Sequence, residues 1–340
     1  MASLQAKIAR GFAGAAVGAA AGWTAAQRSD SRRIRSDPRW ESLKRDLGGR
    51  RETVRAADGT ALSVGAWGPE DAPTVVLIHG WTCAKEFWTL QIQALQGQRR
   101  VVAFDLRGHG ESDRSAERDY TIETFGEDLE AVLEACVPEG ERVLVAGHSL
   151  GAMAIVAWAG DHPEQVDERL SAAVLINTGV GDLISESLVV EGMPDRFAQI
   201  QRFSGELFMK VSAPLPAIST ALSHRIVRHV ALGPDATPGE VAFCERLVLS
   251  CPDDVRGAVG GTLTRIDLRE SLDSLKVPTL VVSGECDRFT PPVHAREMAE
   301  ELPDLIELVE IPRSGHMSPV EASGRVSELL EELAGVPARA

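Results

Sequence analysis

The chain lacks a cysteine framework. Its five cysteines, Cys83, Cys136, Cys244, Cys251 and Cys286, are odd in number, irregularly spaced and contain no C-x-x-C pair. That pattern argues against a disulfide-stapled scaffold, against a Cys244–Cys251 bridge and against a structural zinc site. Reduced thiols fit a cytosolic enzyme, and no metal or cofactor is expected. Basic residues are also scarce: 35 Lys and Arg face 50 Asp and Glu, for a formal net charge of −15 over 340 residues. The deficit is uneven, because residues 1–51 hold eleven Lys/Arg and only four Asp/Glu. An acidic body argues against nucleic acid as a partner, since phosphate binding needs a basic face. It accounts for solubility and needs no other role. Nor is there an internal repeat, or a low-complexity tract beyond one Ala/Gly run near the N-terminus.

No long apolar run is present either. The candidate near the N-terminus, Gly11 to Ala26, is uncharged and made mostly of Ala and Gly. As a helix it would cover about 24 Å of a roughly 30 Å bilayer core, and Ala and Gly insert weakly. Three readings stand for it. It is a peripheral, loosely ordered extension, a weak membrane association through residues 8–35, or a signal segment with an Ala19-x-Ala21 site. Arg28, Arg32, Arg33, Arg35 and Arg39 follow it and disfavour export. In the first two readings the body stays in the cytoplasm.

What is present begins at Thr53. Short apolar runs alternate with helical patterns: Ala61 to Trp67 after the turn Asp58-Gly59, then Val75–Ile78, Val101–Phe104, Val143–Val145, Val174–Ile176, Leu280–Val282 and Ile306–Ile311. β-Branched runs without polar alternation are those of parallel strands buried on both faces. Helical patterns over 122–136, 150–160, 292–301 and 321–333 fall between or after them. Strand–helix alternation predicts an α/β fold with an open parallel sheet wrapped by helices. About a hundred residues separate the strands near Asn177 and Thr279, too many for a loop. Helical patterns at 183–190, 193–211 and 237–249, punctuated by prolines, predict an inserted helical cap over 180–276. The core is then 52–179 and 277–340, with residues 1–51 as a basic extension.

One pentapeptide carries the chemistry. Gly147-His148-Ser149-Leu150-Gly151 reads G-x-S-x-G, follows the apolar run ending at Ala146 and opens an Ala-rich helix. Strand, sharp turn and helix form the context in which such a serine is a nucleophile. A serine hydroxyl needs a base within hydrogen-bond reach and a third group to orient that base. Among the eight histidines only His316 follows the last strand in a loop, so His316 is the candidate base. Asp287, after the strand Leu280–Val282, is the candidate acid, with Glu285 as its neighbour and competitor. The candidate oxyanion donors are the main-chain N–H groups of Leu150 and of Trp81, in the loop His79-Gly80-Trp81-Thr82. A lone Gly80, with no glycine run, predicts a narrow oxyanion loop beside a bulky side chain. Trp81, Phe87, Trp88 and Met153 are the candidate substrate-pocket residues. The alternative for Phe87 and Trp88 is helix core. Phe203 to Phe208 is expected to line the cap's inner face.

These segments, taken with Asp105-Leu106-Arg107-Gly108-His109-Gly110-Glu111-Ser112, Gly284 to Asp287 and Gly315-His316, appear in an order that resembles the α/β-hydrolase superfamily over roughly residues 52–335. The resemblance implies an eight-stranded, mostly parallel sheet and a serine triad of the esterase and lipase kind. It implies that Asp105 to Ser112 braces a neighbouring loop, rather than pairing Asp105 with His109 as a second acid and base. His79 and His148 read as loop-packing residues, His162 as a helix end, and His224 and His229 as structural. Relatives with dehalogenase or epoxide-hydrolase activity carry aspartate where this chain has Ser149. Serine therefore points to acyl transfer on a small-molecule ester, thioester, lactone or amide. The alternatives are cofactor-free haloperoxidase or perhydrolase chemistry, carbon–carbon bond hydrolysis or a hydroxynitrile-lyase reaction on the same triad. A non-catalytic ligand-binding protein on the same fold is the third reading.

Overall fold

The computed structural model describes residues 27–183 and 219–335. The expected helices at 193–211 and 183–190 beyond Leu183, the Phe203–Phe208 stretch and the Ala/Gly run at 11–26 lie outside those residues. Eight strands form one sheet in the order β1-β2-β4-β3-β5-β6-β7-β8. They are β1 Arg50–Arg55, β2 Ala61–Trp67, β3 Thr74–Ile78, β4 Arg100–Phe104, β5 Val143–His148, β6 Leu170–Ile176, β7 Thr279–Gly284 and β8 Leu305–Ile311. β1 pairs antiparallel with β2, and β2 antiparallel with β4. Every later pairing is parallel. The β1–β2 hairpin turns at Asp58-Gly59, where Asp58 Oδ1 accepts from Thr60 N–H at 2.9 Å and Gly59 takes φ +87°.

Two cores explain the unbroken apolar runs. In β3, Val76 and Ile78 face one core while Val75 and Leu77 face the other. Side chains alternate across a strand, so a strand covered on both faces is apolar at every position. Helices Ile122–Cys136, Leu150–Asp161 and Pro292–Glu301 cover the first face. Helices Thr89–Leu95 and Ser323–Ala334 cover the second. The six parallel strands, β3 to β8, set their carboxyl ends along one edge of the sheet, and the loops of interest leave from there.

The insertion between β6 and β7 contains helices Ala221–Ala231, Pro238–Ser250 and Asp253–Leu263. The second follows the helix expected over 237–249, and the sequence shows why it starts there. Thr237 Oγ1 accepts from Glu240 N–H, Glu240 returns the bond to Thr237 N–H, and Pro238 sits at the first helical position. Helix Arg269–Leu272, inside the expected insertion, is instead part of the core. Leu272 is buried against the helix Leu150–Asp161, where a Cβ on Gly160 would meet Ser271.

The expected loose extension also differs from what is seen after residue 36. Helix Pro38–Leu43 is fastened to both halves of the molecule. Asp37 Oδ2 accepts from Gly239 N–H at 2.7 Å, and Arg39 reaches Glu240 and Ser323, each at 3.1 Å. Leu43 is buried in the second core. Composition flagged this segment by its charge, but two of its charged residues are spent on specific bonds. Among the described residues no helix is long and apolar enough to cross a membrane.

Candidate active site

β5 ends at His148, and the chain turns into helix Leu150–Asp161 through Ser149. Ser149 has φ 51° and ψ −117°, a left-handed conformation that L-residues avoid. Strain of this kind costs roughly 1–3 kcal/mol and persists only where the surroundings impose it. They do so here. Ser149 N–H donates to the Ile176 carbonyl at 2.9 Å, and its carbonyl accepts from Thr178 Oγ1 at 3.0 Å. A Cβ on Gly151 would collide with the main-chain oxygens of Ile78 and His79. Helix and strand therefore approach as closely as they do because that residue has no side chain.

β7 and β8 deliver the other two groups. His316 Nδ1 lies 2.8 Å from Asp287 Oδ2. An ionised carboxylate only accepts, so Nδ1 carries the proton and Nε2 keeps its lone pair. Asp287 is buried and well provided with donors. Oδ1 accepts from the N–H groups of Phe289 at 2.8 Å and Thr290 at 3.0 Å. Oδ2 also accepts from Thr290 Oγ1 at 2.9 Å and Asn177 Nδ2 at 3.0 Å. Burial alone would raise this carboxyl. The His316 ring and these donors outweigh it and hold the pKa below the usual aspartate value. Glu285, the competing carboxylate, is exposed and accepts from Arg313 N–H at 3.3 Å.

Ser149 and His316 open onto one cavity of about 280 Å³. Its described walls are mostly apolar: Ile226, Val227, Val230, Val248 and Leu249 from the insertion, and Phe289 and Met317 from the core loops. Thr82, Ser223 and Arg256 add polar points. Trp81 lines it too, with its indole N–H donating to the Arg256 carbonyl at 3.1 Å and its ring 6.1 Å from that of Phe289.

Two main-chain N–H groups, of Leu150 next to Ser149 and of Trp81 on the cavity wall, have no acceptor among the described residues. Leu150 is the first residue of its helix, so its N–H has no intrahelical partner. In the loop after β3, Thr82 N–H is taken by His109 Nε2 at 3.3 Å, whereas no described residue accepts from Trp81 N–H.

The remaining candidates separate clearly. Phe87, Trp88 and Met153, expected to line the pocket, do not. Phe87 and Trp88 are fully buried in the second core, with Phe87 stacked 4.6 Å from the His148 ring, and Met153 is buried in the first. The 3-10 turn Lys85–Trp88 buries both of these aromatics.

Asp105 does not meet His109. It accepts from Lys85 N–H and from Lys85 Nζ, both at 2.6 Å, and from Glu111 N–H at 2.9 Å. His109 and His79 bind loops: His79 Nε2 accepts from Leu106 N–H at 3.0 Å while Nδ1 donates to the Gly80 carbonyl at 2.8 Å. Burial pushes both imidazoles below the usual histidine value, as acceptor use of one nitrogen requires. His148 Nε2 donates to the His316 carbonyl at 2.8 Å, and burial pushes this ring down to about 3. His162 meets Glu127 and His224 meets Glu245, each at 3.3 Å, while His229 is exposed. Asn177 and Thr290 escaped the sequence reading. The available signal for Asn177 was an asparagine directly after a β-strand, a residue tolerant of its φ of 47°.

The model of the α/β hydrolase fold matches residues 73–323. The chain belongs to that family. It is a hydrolase-family enzyme with relatives of more than one specificity. It is 26% identical over 269 residues to 3-oxoadipate enol-lactonase 1 of Acinetobacter baylyi, covering 77% of this chain and 89% of that one. It is 24% identical over 285 residues to a bifunctional esterase/perhydrolase of Acinetobacter calcoaceticus, covering 81% and 96%. A thermophilic esterase from Thermogutta terrifontis superposes with a TM-score of 0.65 at 24% identity, over 83% of this chain and 97% of the other.

Proposed function

We propose that this hydrolase cleaves carboxylic esters, or lactones and thioesters of similar shape, through an acyl-enzyme on Ser149. The observation that carries the reading is the Asp287–His316 pair at 2.8 Å opening onto the same cavity as a serine held in left-handed backbone. His316 Nε2 takes the hydroxyl proton as Ser149 Oγ attacks the carbonyl carbon. The imidazolium formed is stabilised by Asp287, which also fixes the tautomer. The N–H groups of Trp81 and Leu150 receive the oxyanion; a pair of this kind is worth about 2.7–4 kcal/mol per donor in the transition state. His316 returns the proton to the leaving alcohol. The same histidine then removes a proton from water, which attacks the acyl group, and returns that proton to Ser149 Oγ as the acid leaves.

The cavity's size and apolar walls support small to medium apolar substrates. The inserted helices supply most of those walls and act as the cap. Ser149→Ala should lower turnover of a short p-nitrophenyl ester by at least ~10⁴-fold and abolish labelling by a fluorophosphonate probe. An alanine variant that keeps its turnover ends this reading.

A second reading, perhydrolysis, is favoured by one feature. The Trp81 indole is pinned beside the nucleophile by its bond to Arg256, and one relative acts as both esterase and perhydrolase. Formation of peracetic acid from acetate and hydrogen peroxide, compared between the wild type and Trp81→Phe, tests it.

A further inference from the structure

The loop bearing His316 is held on both sides. Its N–H donates to the Ala231 carbonyl at 2.9 Å, at the end of the inserted helix Ala221–Ala231. One further carboxylate holds the residues flanking it. Glu321 Oε1 accepts from the N–H groups of Gly315 at 3.0 Å and Met317 at 3.2 Å. Glu321 Oε2 accepts from Gly233 N–H at 2.6 Å. Gly233 lies two residues beyond the inserted helix, and its main chain touches that of the His316 loop. A Cβ on Gly233 would strike the Arg313 carbonyl, and one on Gly315 would strike Leu232 and Gly233. The Glu321 carboxylate therefore sits astride the junction between the insertion and the loop of the candidate base, and main-chain donors satisfy both of its oxygens.

We propose that Glu321 is a positioning residue for His316, its carboxylate fixing the imidazole's loop against the inserted helices so that the ring faces Ser149 correctly only while Glu321 is ionised. This rests on the reading of His316 as the base.

The groups around the junction are few. From helix Pro238–Ser250 Glu240 repels Glu321 through space, and Cys244 lies on the same helix. Glu240 is itself paired with Arg39 at 3.1 Å. From the loop side come His316 and the Arg313–Asp235 pair, which closes the outer edge. Burial, opposed by the three N–H donors and reinforced by Glu240, pushes the Glu321 carboxyl up to about 7. A proton on Oε2 turns the acceptor facing Gly233 into a donor. A proton on Oε1 displaces Gly315 or Met317. Either event replaces one of the junction's hydrogen bonds within the neutral pH range.

Two ionisations then govern the acid side of the rate. In the wild type, kcat/KM for a p-nitrophenyl ester should fall with a two-proton dependence as pH drops, because both His316 and Glu321 must be deprotonated. Glu321→Gln keeps an oxygen for Gly315 and Met317, offers Gly233 only an NH₂ group and does not titrate. It should lower kcat roughly tenfold at about pH 8, leave KM within about twofold, and reduce the acid limb to one proton. A folded Glu321→Gln enzyme with wild-type kcat and a two-proton limb overturns the proposal.

Amide exchange in the wild type provides a readout that does not depend on the variant folding. Protection of the Gly233, Gly315 and Met317 amides, corrected for intrinsic rates, should change between about pH 8 and pH 6. Unchanged protection overturns the proposal as well. Wild-type protein that resists the fluorophosphonate probe ends the esterase reading instead, and the exchange data still report on the junction.

Discussion

At the scale of single residues, the site is set by acceptors that run out of room. Asp287 receives Asn177, Thr290 and two main-chain N–H groups besides His316. Asp287→Asn replaces one acceptor by a donor facing Nδ1, which forces the wrong tautomer. It should lower kcat about 10³–10⁴-fold with the melting temperature little changed, as read from ester hydrolysis and a thermal melt. Asn177→Ala removes one donor and leaves the rest, so a loss of roughly five- to tenfold in kcat/KM is expected. Asp287 and His316 were singled out in the sequence because each follows a strand, and their side chains lie 2.8 Å apart. Asn177 and Thr290 were not, since an asparagine after one strand and a threonine after another carry no mark of convergence. Phe87 and Trp88 show the opposite error. Closeness to Trp81 in sequence placed them at the pocket, yet both side chains are buried in the second core and are not among the cavity's described walls.

At the scale of elements, the nucleophile's turn is a packing problem solved by glycine. Gly151→Ala would drive a methyl group into the carbonyl oxygens of Ile78 and His79. A loss of about 1–3 kcal/mol in a urea melt is expected, together with lower activity as β5 and the helix shift apart. The β4 end offers a second case. Arg107 forms two bonds to buried Asp128, at 2.8 and 2.6 Å, and one to Asp58 at 2.8 Å. Arg107→Ala leaves Asp128 buried and unpaired, which should cost about 3–5 kcal/mol in the same assay. Sequence placed the segment Asp105 to Ser112 as a brace. It did not name the partners, because Lys85, Asp128 and Asp58 arrive from three other elements.

At the scale of the molecule, the insertion, the segment around residues 37–43 and the core share buried apolar side chains as well as hydrogen bonds, and Glu321 stands at one of the places where insertion and core meet. Its folded pKa of about 7 lies above the 4.5 of a free glutamate. The folded state thus holds a proton that the unfolded chain has already released. Stability from this group is greatest below about 4.5, declines as pH rises to about 7 and is level above that. Urea melts of the wild type and Glu321→Gln at pH 5 and 8 should therefore converge at one end and separate at the other, the variant being relatively more stable at high pH. The Asp37 and Arg39 bonds make a related prediction. Asp37→Ala combined with Arg39→Ala frees the helix Pro238–Ser250 from its strap. KM should rise several-fold with kcat within about twofold, because pocket walls move while the Ser149 turn does not.

Sequence alone determined the alternation of strands and helices, the serine in its turn, and the chain order of Ser149, Asp287 and His316. Those features are local: hydrophobic period, a glycine-flanked turn and chain order survive in one dimension. Tertiary structure decided which carboxylate meets His316, which aromatics face the cavity, and that Glu321 and Gly233 meet at the histidine loop. Each of these depends on segments far apart in the chain being brought within about 3 Å, and hydrogen bonding has no period or spacing that a sequence displays. The Gly147–Gly151 turn singles out Ser149, but the company that Ser149 keeps is a property of the folded sheet edge.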